Sequence, residues 1–477
     1  MDPNVVERAV KLAGLELPLD ADYEVVGDEP ILASPHHLAT GASVARLLTG
    51  LAAAELWRLR TGRRQHVEVD MRHAAASLRS FQFARAVGEP EQSLESLRAR
   101  TSTAARARLT RIVRARDGRY IQLHGSFHDG PQILTELGLD GLGLDESASI
   151  EAIDAAVGRR DAAELEAALI ARRLCGGVVR SKEDWSTHPQ GQAIGELPVL
   201  TITKIGTAPP QPLPDGARPT SGVRVLDLTR VLAGPTCAKT LAEHGADVLH
   251  VSTPQLEPGG PFELETGIGK RQAAIDLNDE EQAAALRALI ADSDVFCQGY
   301  RLGALDRRGL SPTDLAALRP GIVYVSENCY GHVGPWAQRP GWEQLAQAAT
   351  GMSYREGLQA ADGVPRLAPA AVNDYSTGFL PAYGAMVALA RRATEGGSWL
   401  VQASLCQTSM WYQRLGDDND VDAAHLGDVS EFVATMETQD FGPICYLTPA
   451  VSLSETPARW ELPPARIGAH EPRWLDR

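Results

Sequence analysis

No run in the 477 residues approaches the roughly 20 consecutive apolar residues of a membrane-spanning helix, so no membrane span is expected. The opening residues, MDPNVVERAV, are acidic and amphipathic. They lack the basic start and apolar core of a secretory signal, and a cytoplasmic location is expected. Six cysteines stand at 175, 237, 297, 329, 406 and 445, with no C-x-x-C spacing. That spacing gives neither a zinc site nor a redox pair, so no metal is expected and the thiols read as reduced. Basic charge is also short. Lys and Arg number 46 against 61 Asp and Glu, a formal net charge of −15. General binding to nucleic acid or anionic membranes is thereby disfavoured. An anionic ligand would need a local cluster of cations instead.

What is present is ordinary for a globular protein: 44% hydrophobic and 22% charged residues, in a chain long enough for two or three domains. The stretch GTAPPQPLPDGARP (206–219) holds five prolines and reads as a linker or extended connection. It divides the chain into expected units 1–205 and 220–477. In the second unit strands alternate with helices. VRVLDLTR (223–230) leads through LAGP into a helix opening near Pro235, and ADVLHVS (246–252), DVFCQGY (294–300) and IVYVSEN (322–328) follow as further strands. Such alternation predicts a parallel sheet covered on both faces, a Rossmann-like domain. No G-x-G-x-x-G follows its first strand, so a nicotinamide or flavin dinucleotide is not indicated.

The first unit predicts a helix over 41–60, a turn at TGRR, a strand over 65–71 and a helix over about 73–87. Asp117-Gly118 between RIVRAR and RYIQLHG signals a hairpin. Together these elements predict a smaller α+β domain. Residues 39–71 and 376–405 also echo each other: a small-residue Thr-Gly start, an apolar helix, an arginine-bearing end, a glycine turn and a strand.

Across the second unit an ordered set of segments resembles the class III coenzyme A transferases, the CaiB/BaiF family. They are VRVLDLTRVLAGP (223–235), LAEHGADVLHV (241–251), GKRQAAIDL (269–277), QGYRLGALDRRGL (298–310), RPGIVYVS (319–326), YGHVGPWAQRPGWEQLAQAATG (330–351) and NDYSTG (373–378). The first unit is similar to the family's segment after the nucleophile and to its smaller domain. The chain thus resembles two incomplete units in tandem, or one unit with its parts reordered.

The resemblance implies that Asp374 is a nucleophile and that coenzyme A and a small carboxylic acid are its substrates. A carboxylate attacks an acyl-CoA carbonyl, giving a mixed anhydride and a thiolate. The thiolate returns to form an aspartyl-CoA thioester, which a second acid takes over by the reverse steps. An aspartate with an ordinary pKa needs no activating base. A helix beginning near Thr377, with Pro381 in its first turn, would offer free N–H groups to the reacting oxygens. From the local residues alone a helix cap is an open alternative for Asp374. Glu343 is a candidate for orienting groups near the thioester.

Cations for the phosphates of coenzyme A are sought beyond strand ends: Arg230, Lys270, Arg271, Arg301 and Arg307. The family's contacts map near Arg230, Val231 and Ala233, near Gly299 and Tyr300, and near Arg307. Gly299 departs from the asparagine that the family often carries. Two other classes stay open. An α-methylacyl-CoA racemase would need two acid/base groups flanking one carbon. Trp342 offers none, which leaves His332. A non-catalytic coenzyme A-binding protein is the other. The resemblance implies an intertwined homodimer, or a monomer mimicking one. Where the two echoed segments are superposed, His37 takes the place of Asp374.

Overall fold

The computed structural model describes residues 1–18, 20–89, 108–125, 129–139, 149–253, 255 and 261–476. Among the described residues the largest sheet has seven strands: β1 (Leu200–Gly206), β2 (Arg224–Asp227), β3 (Asp247–Ser252), β4 (Lys270–Ala274), β5 (Val295–Gln298), β6 (Val323–Asn328) and β7 (Ser398–Ser404). Their spatial order is β4-β3-β2-β5-β6-β7-β1. All neighbours are parallel except β1, which runs antiparallel to β7. The predicted Rossmann-like parallel sheet is therefore present. The chain order reverses between β2 and β5, which makes their C-terminal ends the place for a ligand.

Strand residues alternate between two cores, as the period of two requires. Val225, Val248, Val295, Val323 and Val325 face one, with helices α1 (Leu38–Thr61), α2 (Ala233–Glu243) and α4 (Val372–Glu395). Leu226, Leu249, Phe296 and Tyr324 face the other, against the helix Glu280–Ala291. The remaining helices that matter here are α3 (Glu343–Thr350) and α5 (Leu405–Leu415).

The echo seen in the sequence is structural. Helices α1 and α4 each have 24 residues, and each is followed by a glycine, a strand and a further helix. Asp70 caps the helix after the first strand, and Ser404 caps α5 after the second. The two long helices share one core, so the halves are packed together rather than side by side. Strand β1, read as the end of the first unit, lies in the sheet of the second. The proline-rich 206–219 stretch is pinned as well. Arg60 bonds the carbonyls of Pro214, Pro219 and Ser221, and Gln211 donates to Pro320 O at 2.9 Å.

The hairpin at Asp117-Gly118 forms. Strands Ile112–Arg114 and Tyr120–Leu123 pair antiparallel and are joined by Gly176–Val178 into a small sheet. Helices Ile150–Val157 and Ala162–Ala171 complete this α+β domain and its own core. The helix expected over 73–87 is shorter, Met71–Ser77. It stops where the chain docks on α4: Ala371 N–H donates to Leu78 O at 3.1 Å, and the Tyr375 hydroxyl accepts from Phe81 N–H at 2.8 Å. Among the described residues no helix is long and apolar enough to cross a membrane.

Candidate active site

A cavity of about 320 Å³ opens at the switch point of the sheet. Its walls come from the β2–α2 loop (Arg230, Val231, Leu232, Ala233), the β5 end (Gly299, Tyr300, Arg301), the β6 end (Glu327, Asn328, Cys329), Arg339 to Trp342, Asp374 and Leu405. Asp129 and Cys175 of the smaller domain close it. Six predicted residues therefore meet Asp374 on one cavity: Arg230, Val231, Ala233, Gly299, Tyr300 and Arg301. Val231 holds φ at 70°, a left-handed conformation that a β-branched residue rarely adopts. Such strain concentrates where a loop must present its backbone to a ligand.

Asp374 sits in the first turn of α4, which begins at Val372 rather than near Thr377. The expected free N–H groups are consequently not free. Ala371, the residue before the helix, provides no capping side chain. Glu343, the first residue of α3, does so from outside. Its Oε2 accepts from Asp374 N–H at 2.7 Å, and its Oε1 accepts from Asn373 N–H at 3.2 Å and from Gln347 Nε2 at 2.6 Å. A carboxylate at a helix N-terminus also suits the helix dipole. Glu343 is thus buried and holds the backbone of Asp374, while the Asp374 carboxylate takes no hydrogen bond from the described residues. Pro381 accordingly lies inside the helix, not in its first turn.

The carboxyl groups do not have ordinary pKa values, contrary to the expectation for Asp374. Burial, then Glu343 and Glu327, push Asp374 well above the usual range. Burial raises Glu343 to about 7 against the opposing bonds from Gln347 and the two N–H groups. Burial and Asp227 raise Glu327 to about 8, and burial raises Glu356, on the helix Met352–Leu358, to about 7.

These shifts predict a pH dependence of stability. A raised carboxyl stabilises the fold fully below its unfolded value, near 4.5, and that gain is lost as pH rises through 7 and 8. His36, His73, His188 and His332, each lowered by burial to about 4, act oppositely. Their contribution is complete above 6.5 and lost as pH falls toward 4. Above about pH 6.5 only the carboxyl contribution still changes with pH. The melting temperature should fall between pH 6.5 and pH 8.5, by a smaller amount in Glu327→Gln. A flat or rising melting temperature across that interval would contradict these shifts.

The predicted cations divide into two groups. Arg230 and Arg301 line the cavity. Arg307 lines an adjoining groove of about 670 Å³ with Arg308, Ser252 and Asn278, and Leu228 and Tyr300 border both spaces. Lys270 and Arg271 line neither, which corrects the expectation that they hold phosphate. The buried Lys270 ammonium bonds Asp227 Oδ2 and Pro235 O, both at 2.7 Å. Arg271 forks onto Asp247 and donates to Arg473 O at 2.6 Å. Their charges are neutralised within the fold.

Neither histidine candidate lies on the cavity. His332 Nε2 meets Ser326 Oγ at 3.0 Å, and His37 pairs with Asp418 at 3.0 Å. Trp342 does line the cavity and stacks on His124, with ring centroids 5.5 Å apart. Away from this site, ligand atoms of Glu24, His66 and Glu68 lie within 4.8 Å of one another on the surface.

Glu327 escaped the sequence reading. The signal was its register: counting by two from Val323 and Val325 places a carboxylate on the strand face that meets α4. Asp129, Cys175 and Arg339 were also unforeseen, because they reach the cavity only through tertiary packing.

A strand-and-helix Rossmann-like layer with an aspartate at its switch point and a smaller domain closing over it defines the class. The model of CoA-transferase family III matches residues 33–208 and 220–417, and the chain belongs to that family. It is 36% identical over 325 residues to an acyl-CoA transferase of Gibberella moniliformis, covering 64% of this chain and 56% of that protein. It is 33% identical over 217 residues to succinyl-CoA:glutarate CoA-transferase of Mus musculus, covering 43% of this chain and 49% of the relative. The chain therefore spans about half the length of these relatives. A solved CaiB/BaiF family protein of Brucella suis is 27% identical, with a TM-score of 0.38 over 48% of this chain and 65% of that one.

Proposed function

We propose that this chain is an acyl-CoA:carboxylate CoA-transferase in which Asp374 carries the group in transit. The observation that carries this reading is the placement of Asp374. Its backbone is clamped by Glu343, and its carboxylate stands on the switch-point cavity without a donor among the described residues. An aspartate so placed is exposed to a ligand yet fixed in direction, as an attacking group must be.

In the first step an Asp374 oxygen bonds to the acyl carbonyl carbon, the carbon–sulfur bond breaks, and coenzyme A leaves as thiolate. The thiolate then attacks the Asp374 carbonyl carbon, releasing the donor acid and leaving an aspartyl-CoA thioester. The acceptor carboxylate reverses both steps. The names of the relatives, one acting on acyl-CoA and one on succinyl-CoA and glutarate, support acyl thioesters and carboxylic acids as the substrate classes. A panel of acyl-CoA donors and free acids assayed by mass spectrometry tests the reading. Exchange with none of them would sink it.

Coenzyme A is assigned to Arg230, Val231, Ala233, Gly299 and Tyr300 at the cavity, with Arg307 in the adjoining groove for a phosphate. Neutral replacement of Arg230 should weaken binding by about 1–3 kcal/mol, with a smaller loss at the more exposed Arg307. Arg271→Gln should change stability but not affinity. Calorimetry showing unchanged affinity in both the Arg230 and the Arg307 variants would move the ligand elsewhere.

We further read the chain as one active unit assembled from two reordered parts. The smaller domain of residues 110–200 walls the cavity whose floor comes from residues 223–405. One coenzyme A per chain should be found at saturation, whether the chain is a homodimer or a monomer mimicking one.

One observation favours the α-methylacyl-CoA racemase as a second reading: Asp374 and Glu327 are two acid/base groups on the same cavity. The transferase reading expects the α-proton of a chiral 2-methylacyl-CoA to stay in place in deuterated water. Rapid deuterium uptake there would select the racemase.

A further inference from the structure

The cavity wall beside Asp374 carries a second carboxyl group, Glu327, at the C-terminal end of β6. The residue is 8% exposed. The Gly234 N–H favours its anion, while Oε2 is buried with no hydrogen-bond partner among the described residues. Buried polar atoms are rarely left unpaired, and one on a cavity wall marks where a ligand atom belongs. The site is also built around this side chain. A Cβ on Gly299 would stand 2.9 Å from Glu327 Oε1, and a Cβ on Gly234 would stand 2.5 Å from it. The space that an asparagine at 299 would fill is the space Glu327 occupies.

We propose that Glu327 is a second catalytic group, which in its neutral form donates Oε2–H to the carbonyl oxygen of the acyl thioester while Asp374 attacks the carbonyl carbon. This rests on Asp374 being the nucleophile. As the Asp374 oxygen–carbon bond forms, the carbonyl electron pair moves onto oxygen, and the Glu327 hydrogen bond strengthens onto that charge without transferring its proton. Collapse restores the carbonyl, breaks the carbon–sulfur bond and sends the electron pair away on sulfur. A donor placed where charge develops acts on the transition state rather than on the substrate.

The groups facing Glu327 are consistent with a retained proton. Asp227 on β2 and Asp374 on α4 repel its anion, and burial does so more strongly. Lys270 on β4 and the Gly234 N–H oppose them, but the Lys270 charge is spent on Asp227. Arg230, Arg301 and Arg339 border the same cavity. Two neighbouring carboxyls cannot both ionise freely, so one proton stays with the pair. With Asp374 acting as the attacking carboxylate, the proton of the pair belongs on Glu327.

The test compares the full-length wild type with Glu327→Gln and Glu327→Leu across pH. Glutamine keeps an N–H donor but cannot ionise, and leucine removes the donor while keeping bulk. Wild-type kcat should fall at alkaline pH as Glu327 loses its proton, and Glu327→Gln should lack that fall. Glu327→Leu should lose on the order of 10²–10³-fold in kcat, with KM for acyl-CoA moved much less. An alkaline fall that persists in Glu327→Gln overturns the proposal. So does a Glu327→Leu enzyme with wild-type kcat. Should the leucine variant not fold, the pH profile of the glutamine variant decides alone. Hydroxylamine trapping on Asp374 in the wild type separates the two readings. An Asp374 adduct together with an unchanged Glu327→Gln profile rejects only the Glu327 role, and absence of the adduct rejects the nucleophile on which it rests.

Discussion

Replacing Asp374 by asparagine or alanine is expected to lower acyl exchange by on the order of 10⁴-fold or more, the scale at which removal of a covalent nucleophile is felt. The expectation follows from what the side chain does and does not touch. Its carboxylate has no hydrogen-bond partner among the described residues, so nothing in the fold depends on it. Its backbone N–H is what Glu343 holds, at 2.7 Å, and both substitutions keep that N–H. The variants should therefore fold, and should melt no lower than the wild type. Removing a half-buried carboxyl beside Glu343 and Glu327 also relieves like-charge repulsion, so a small rise in melting temperature is expected. In the wild type, incubation with an acyl-CoA donor followed by hydroxylamine should leave a modification on the peptide that contains Asp374. Substantial exchange by the alanine variant would contradict the mechanism.

The second large effect belongs to Glu343. Its carboxylate satisfies two N–H groups of the α4 N-terminus and one side-chain amide, all in a buried site. Glu343→Ala strands all three. Leaving buried donors unpaired costs about 1–3 kcal/mol each, partly recovered if water enters. A loss of about 3 kcal/mol in stability is expected by denaturant titration. The first turn of α4 would also lose its cap, and with it the aim of Asp374. Exchange should drop on the order of 10²-fold in kcat even in conditions where the variant is folded. Glu343→Gln retains one acceptor oxygen and should fall between the two. Unchanged stability of the alanine variant would mean that the clamp is not what orders the turn.

Much of the fold was legible because its signals are local. Alternating apolar strands and helices predicted the parallel sheet, and Asp117-Gly118 placed a hairpin where one forms. Arg230 and Arg301 were legible because a loop leaving a parallel strand points to the ligand side of the sheet, whereas Val231, Ala233, Gly299 and Tyr300 came from the family resemblance. The misreadings share a cause. Lys270 and Arg271 open β4 instead of following a strand, and their partners Asp227 and Asp247 come from neighbouring strands. A basic pair in sequence cannot reveal that its charges are already spent. Thr377 looked like a helix start because Ala371 offers no cap, and the true cap reaches α4 from α3. Glu327 ends a strand, a place where a polar residue raises no question until the pleat shows which face it takes.

Heavy-oxygen labelling of the acceptor acid is the most direct measurement of the central claim. Transfer through Asp374 passes one acceptor oxygen to the aspartyl carboxylate when the second anhydride is cleaved by thiolate. After a single turnover with a fully ¹⁸O-labelled acceptor, digestion and mass spectrometry should find one heavy oxygen on the peptide that contains Asp374, and the label should be absent in protein incubated with acceptor alone. Turnover that leaves Asp374 unlabelled, with heavy oxygen appearing directly in the released donor acid, would show that the group crosses from donor to acceptor without passing through the protein.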